Sequence, residues 1–392
     1  MCMRVLHLIN QASPQASAVT LNLMATAMQK VEAQHQAILI GGQPLCDAAR
    51  ASVIESFIPM GAPGGHALAA LPRLRHWLRN NAQPDMVHCW SVGSLLLATL
   101  ACRSAPRLLT LTLMPSLHEL HLLRMLAAEA GPAKLGIVPI TATIAREVLC
   151  CGVDPQCVDI LRPGVDMGLI QASERDAIRT RWELAGDDPL VVMLLSDPPT
   201  QCDAARATLM LGLTQVGMQN TQRPVHLLIH PDQKNRLAAL NPMRPLNNEH
   251  LILSDAAAAI PWQVLPACDA VIALDDGGAG LSIPWAMAAN VPIVGHATAG
   301  ICEWVEDHHS ALLVAPGQPA MRHIAGKLTD ILSDPQLTYK LRDTARHEAF
   351  SFYSRTRFGS DLNTVYHQLL DGKELNVPDM PSTGGLRFAG RG

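Results

Sequence analysis

Asp269-Ala270-Val271-Ile272-Ala273-Leu274, then Gly277-Gly278-Ala279-Gly280, then Ile283-Pro284-Trp285-Ala286-Met287-Ala288-Ala289, then Pro292-Ile293-Val294 follow in close succession. The first and last runs are short, apolar and rich in Val and Ile, as buried strands are. The glycines make a tight turn between strand and helix. Ile283–Ala289 has helical composition. A strand, a turn, a helix and a second strand in that order imply parallel strands joined by a crossover, buried on both faces.

Working outward, the same pattern recurs. In the first half, Arg4–Ile9, Gln36–Ile40, Asp85–Cys89 and Arg107–Leu113 are predicted strands. Helices are predicted near Ala18–Lys30, Leu68–Arg79 and Ser94–Cys102. The pattern restarts at Leu190–Leu195 and continues through a helix at Ala204–Val216 and strands at Val225–Ile229 and Leu251–Ser254. Helices at Ala320–Leu332, Leu337–Phe350 and Arg357–Leu370 close the chain. Pro-Gly and Asp-Asp-Pro interrupt the pattern within Pro163–Asp188, which marks the junction. The expected organisation is α/β, with a first domain over 1–165 and a second over 185–356. A helix over 357–372 and a frayed tail over 378–392 follow.

The chain has 392 residues, which at about 150 per domain also predicts two or three domains. Apolar residues are 48% and charged residues 16%, enough for two cores and incompatible with bulk disorder. Thirty Lys and Arg against 34 Asp and Glu leave a net charge of −4, and aromatics are 4%. Both facts argue against a nucleic-acid partner. Ser94–Met114 is the greasiest stretch, but Arg103, Pro106 and Arg107 break it, so no membrane span is expected. The N-terminus has strand character rather than that of a secretory signal, so a cytoplasmic location is expected. The ten Cys form no CxxC pair and are expected to be reduced core residues. No metal site is expected.

Several motifs in one order carry a family resemblance over almost the full length. Gly280-Leu281 followed by Ala286-Met287-Ala288-Ala289-Asn290-Val291-Pro292-Ile293-Val294-Gly295 is similar to "G-L … E-A-M-A-x-G-x-P-V-V-A". Ala299-Gly300-Ile301-Cys302-Glu303-Trp304-Val305-Glu306-Asp307 is similar to "G-G-I-P-E-x-V-x-D", and Ala311–Gly317 to "G-L-L-V-P-P-G". In the first half Pro84-Asp85-Met86-Val87-His88 is similar to "P-D-I-V-H", and Ile160–Asp166 to "I-P-N-G-V-D". The chain thus resembles the GT-B-fold glycosyltransferases of the family 4, group 1 type. That resemblance implies two Rossmann-like domains facing across a cleft. It implies a nucleotide-sugar donor bound in the cleft on the side of the second domain, an acceptor held by the first, and no further cofactor. The acceptor class (glycan, lipid or small molecule) stays open, and the 357–370 helix is expected to cross back to the first domain.

Sugar transfer needs groups for the departing diphosphate and for the oxocarbenium-like sugar. The family uses an Arg and a Lys after the first strand of the second domain, and two Glu eight positions apart. Here those Glu positions are Gly277 and Trp285. Leu194–Asp203 has no cation before Arg206, and the "G-D-G" place reads His230-Pro231-Asp232. The glycine turn after the first strand is replaced by Asn10–Gln15, and the "T-x-H" histidine by the Leu111–Met114 run, with His118 a few residues on as its candidate substitute. These losses leave a second reading: a pseudo-glycosyltransferase that binds or scaffolds without catalysis.

The candidates that remain are few. Gly277, Gly278, Ala279 and Gly280 form either a phosphate cradle of backbone N–H groups or a plain turn. Asp275 and Asp276, just before them, would repel phosphate. Glu303 is either a donor contact or a helix-terminal acid. His296 follows a strand at its carboxyl end. Trp285 stacks on a ligand in the cleft or fills the space left by the missing Glu side chains, and Arg162 is the nearest cation. His88 and Trp90 straddle a strand end, where the family's residue is often structural. Arg73, Arg75, His76 and Arg79 make the Leu68–Arg79 helix either a solvated basic face or a peripheral membrane contact. His308 and His309, adjacent in sequence, are poor metal ligands.

Overall fold

The structure, a computed structural model, describes residues 2–10, 18–41, 57–61, 67–171, 174–184, 190–195, 224–229, 252–254, 260–274, 280–315 and 320–375. The expected helix at Ala204–Val216, the 378–392 tail, and Gly277, Gly278 and Ala279 lie outside the described residues. The chain forms two compact units, Met1–Gly164 with Arg355–Asp379, and Val165–Ser354.

The first unit holds β1 (Arg4–Asn10), β2 (Gln34–Ile40), β3 (Phe57–Met60), β4 (Met86–Cys89), β5 (Arg107–Leu111) and β6 (Leu135–Pro139). They pair in the order β3-β2-β1-β4-β5-β6, all parallel. The second unit holds β7 (Leu190–Leu195), β8 (Val225–Ile229), β9 (Ile252–Ser254), β10 (Ala270–Ala273), β11 (Ile293–His296) and β12 (Leu312–Val314). Its order, β12-β11-β10-β7-β8-β9, repeats the first when counted from β7. Both are doubly wound sheets whose strand order reverses at the first strand.

Two helices cover the first sheet closely. Ala18–Lys30 is buried without a break from Ala18 to Ala27. It packs against Arg355–Leu370, and a Cβ on Gly359 would collide with the Lys30 side chain. The close approach of the two helices therefore requires glycine there. Arg355–Leu370 buries Phe358, Leu362, Val365, Tyr366 and Leu369 within the first unit, although 190 residues of the second unit precede it in sequence. Arg357 anchors its start by donating to the carbonyls of Arg162 (2.7 Å) and Pro163 (3.1 Å), while pairing with Asp361.

In the second unit an apolar core fills the space between the sheet and helix Ala320–Ser333. Val192, Leu194, Leu227, Ile272, Val294 and Leu312 meet Ile324, Ala325 and Leu328. Part of the expected junction is ordered here. Arg175 and Arg179, on the short helix Arg175–Arg181, both pair with Asp269 (2.6 and 3.1 Å), and Asp269 also accepts from the backbone of Val191 (2.8 Å). One carboxylate thus ties the junction to the edges of β7 and β10.

Local details differ from the sequence reading for physical reasons. The Leu68–Arg79 helix is a 3₁₀ turn, Ala67–Ala70, and then an α-helix, Leu71–Asn80, with Pro72 in its first turn, where the missing N–H has no partner to lose. The helix Leu117–Ala130 carries no clear helical period in the sequence because it is apolar on two faces. Leu120, Leu123 and Leu126 are buried while Leu117 and Met125 are exposed. That blurs the 3.6-residue period. β3, β6, β12 and the helix Ala142–Cys150 were also not anticipated.

Candidate functional site

Ligands of open α/β sheets bind beyond the carboxyl ends of the strands. In the second unit, β10 ends there at Ala273, and Gly280 follows seven residues on, buried and with φ +60°. A Cβ at Gly280 would lie 2.9 Å from Ile283 Cδ1 and 2.9 Å from Trp304 Nε1. Both the backbone angle and the space therefore demand glycine. Gly280 accepts from the Ile283 backbone (2.9 Å), which closes the turn into helix Ile283–Ala288.

Trp285 lies on that helix, buried, with its ring 4.6 Å from Trp262. Its indole fills the interior of the second unit. β11 runs beside β10, and a Cβ on Gly295 would come within 2.7 Å of the Ala273 carbonyl oxygen, so the strands meet closely at this end. His296, the last residue of β11, is buried. Thr298 then caps the turn Ala299–Cys302, accepting from the Ile301 backbone (3.4 Å). Glu303 follows, half-buried, and Trp304 lies under Gly280 with its ring 5.3 Å from Tyr353. The structure thus brings the Gly280 turn and the Glu303–Trp304 turn together at the carboxyl edge of the second sheet.

In the first unit, His118 is exposed in the first turn of helix Leu117–Ala130, just after β5. Ser116 and Glu119 form a reciprocal cap around it. Arg162 donates to the Ile140 carbonyl (3.2 Å) just past β6. Both stand at the carboxyl edge of the first sheet. His88 is wholly buried, with Nδ1 2.7 Å from the Tyr366 hydroxyl and Nε2 2.7 Å from that of Thr110. Its place is interior and structural. The partners of this imidazole, Tyr366 and Thr110, were not singled out in the sequence, since the contact joins residues 278 positions apart.

Among the described residues no cluster of three His, Cys, Asp or Glu is placed to hold a metal. The eight cysteines there are free thiols. Burial pushes Cys102 and Cys157 up to about 11, and Cys89 and Cys268 higher still. A thiol held protonated is a poor nucleophile. His309 lies 3.7 Å from Glu348, whose own carboxyl burial pushes upward. Among the described residues no helix is long and apolar enough to cross a membrane.

Two doubly wound parallel sheets of this kind, one per unit, define the GT-B class of fold. The solved structures it is similar to include HepE of Anabaena in complex with UDP and glucose, with TM-score 0.74 and 16% identity, covering 93% of this chain and 100% of that one. A glycosyltransferase from Rickettsia africae matches with TM-score 0.70 and 15% identity, covering 94% and 99%. Residues 18–169 match the model of Glycosyltransferase Family 4, and residues 219–348 that of Glycosyl transferases group 1. A D-inositol 3-phosphate glycosyltransferase 1 from Catenulispora acidiphila is 26% identical over 375 residues, covering 84% of this chain and 83% of that one. The chain belongs to the GT-B glycosyltransferases of the family 4, group 1 type.

Proposed function

We propose that this protein transfers a sugar from a nucleotide-sugar to an acceptor, with the donor held by the second unit and the acceptor by the first. The observation that carries the reading is the Gly280 turn. It stands at the carboxyl end of β10, where only glycine fits, within the segment that matches the group 1 model. Relatives of the same fold solved with UDP and glucose, and with UDP-glucose, support a nucleotide-sugar donor.

The chemistry assigned to the residues follows from their kind. Backbone N–H groups of Gly277–Gly280 hydrogen-bond the diphosphate, which costs no side-chain reorganisation as charge develops on the leaving group. Glu303, next to the Trp304 that supports Gly280, accepts from sugar hydroxyls. His296 ends β11 at the same carboxyl edge of the sheet. In the first unit His118 is the general base for the acceptor hydroxyl, and Arg162 supplies positive charge. The side chains of Arg73 and His76 on helix Leu71–Asn80 border a groove of about 650 Å³ beside β3, and with Arg75 and Arg79 of the same helix they give the first unit a peripheral membrane contact.

Calorimetric titration against UDP, GDP, ADP and their sugar conjugates tests this. One nucleotide is expected to saturate, with affinity at least tenfold weaker in Gly280→Val. Glu303→Gln is expected to leave nucleotide affinity within threefold and to lower sugar transfer at least tenfold. No binding of any nucleotide at millimolar concentration overturns the proposal.

A further inference from the structure

Three imidazoles lie together in the first sheet: His7 on β1, His35 on β2 and His88 on β4. Their ring centroids are 5.1 Å apart for His7 and His35, and 5.2 Å for His7 and His88. His7 and His88 are wholly buried. Trp90 Nε1–H donates to His7 Nδ1 (3.1 Å), and an indole N–H can only donate, so His7 carries its proton on Nε2. That proton goes to His35 Nδ1 (2.9 Å), and His35 Nε2–H goes to the Val31 carbonyl (3.0 Å). The donors run in one direction from Trp90 to Val31, with His7 and His35 both neutral. His88 stacks on Trp90 (4.4 Å) between the hydroxyls of Thr110 and Tyr366.

A proton added to His7 or His35 would set a donor against a donor. On His88 it would place a charge in the interior beside two other imidazoles. The titratable groups facing the cluster are few on every packed element. They are His7 from β1, His35 from β2, His88 from β4 and Tyr366 from helix Arg355–Leu370; β5 offers only the neutral Thr110. Arg107 of β5 stands on the face of the strand opposite Thr110, and Asp361 is held by Arg357. Burial accordingly holds His7 and His88 well below the ordinary imidazole range and lowers His35 as well.

We propose that this cluster is an acid-operated latch, in which protonation of the imidazoles opens the Tyr366 end of helix Arg355–Leu370 from the first sheet. The buried charge is hydrated only when its cover lifts, and Tyr366 is that cover. The start of the helix stays anchored, because Arg357 grips the backbone carbonyls of Arg162 and Pro163. This inference is independent of the sugar-transfer reading.

Amide hydrogen exchange of the intact protein from pH 7.5 to 5.0, corrected for intrinsic rates, tests it. Below pH 6.5 residues 362–370 are expected to exchange faster by about tenfold per pH unit for each imidazole that must be charged, with little change above it, while 355–360 and the second unit's Ala320–Ser333 change less than threefold. His88→Gln offers the same hydroxyl partners without titrating and is expected to flatten the response by at least tenfold at pH 5. If that variant fails to fold, ¹⁵N titration of the wild-type imidazoles is decisive, because neutral His7 and His88 with fixed tautomers at pH 7 are required. Unchanged exchange at 362–370, equal loss of protection in both units, or imidazoles charged at pH 7 would each overturn the proposal.

Discussion

The two units share a strand order and differ in what lies inside. Between the second sheet and helix Ala320–Ser333 the described core is apolar throughout, from Val192 and Ile272 to Leu328. The first unit instead buries a polar seam: His7, His88 and Thr110, with Thr20 and Thr112 hydrogen-bonded at 2.9 Å. One topology thus tolerates two interior chemistries. In one, the side of the second sheet under that helix, stability comes from area and packing. In the other, part of it depends on every donor finding its acceptor and on the protonation that keeps it so.

The largest expected effect lies in the packed interior. Trp285→Ala empties the space beside Trp262 and is expected to cost about 3–5 kcal/mol, loosening the second unit before the first. Chemical denaturation followed by hydrogen exchange in each unit reads this; a loss below about 1 kcal/mol would show that the second interior is not tightly packed.

Acid is the next lever, and its sign is fixed by the direction of the shifts. His7 and His88 have folded values below their unfolded value of 6.5. Their contribution is therefore complete above pH 6.5 and is lost as pH falls from there through the lowered folded values. The expected loss is about 1.4 kcal/mol per pH unit per imidazole within that window, in the first unit. Urea unfolding at pH 7.5, 6.5 and 5.5 measures it, and a flat profile would erase the contrast between the units.

Trp90→Phe sharpens the same contrast, because it keeps the ring and removes only the N–H that His7 accepts. Leaving that buried acceptor unpaired is expected to cost about 1–3 kcal/mol at pH 7.5. The cost should shrink on acidification, since the freed Nδ1 can then take a proton. The smallest effect has the opposite sign. Glu348 of the second unit has its carboxyl raised by burial, so its ionised form opposes folding, most of all above its folded value. Glu348→Gln is expected to be neutral or stabilising by less than about 1 kcal/mol at pH 7.5. Clear destabilisation there would mean the carboxylate is needed by its neighbours.

Much of the fold was legible in short stretches. β7 and β8 have the residues read from their apolar runs, Leu190–Leu195 and Val225–Ile229, because a strand buried on both faces advertises itself by composition. Helix Leu117–Ala130 was opaque because exposed Leu117 and Met125 hide the buried face. In the candidate site, the glycine requirement at 280 was readable only as one of two possibilities. The alternatives were a phosphate cradle and a plain turn; the close approach of Trp304, 24 residues later, adds a second reason for glycine that no local pattern carries. The role of Trp285 depended in the same way on Trp262, which no motif connects to it.

The amino-acid sequence by itself determined the class of the protein: two runs of short apolar strands with crossovers, and an ordered series of motifs shared with a glycosyltransferase family. Those signals are local, set by period, by turn residues and by the spacing of a few glycines and prolines. The tertiary structure alone decided which polar residues became interior partners. His7, His35, His88, Thr110 and Tyr366 are spread from the first strand to the last helix, and only His88 stood out within its own segment. Only folding sets a hydroxyl 2.7 Å from an imidazole 278 residues away. Hydrogen-bond direction and desolvation depend on three-dimensional neighbours, and a one-dimensional pattern does not carry them.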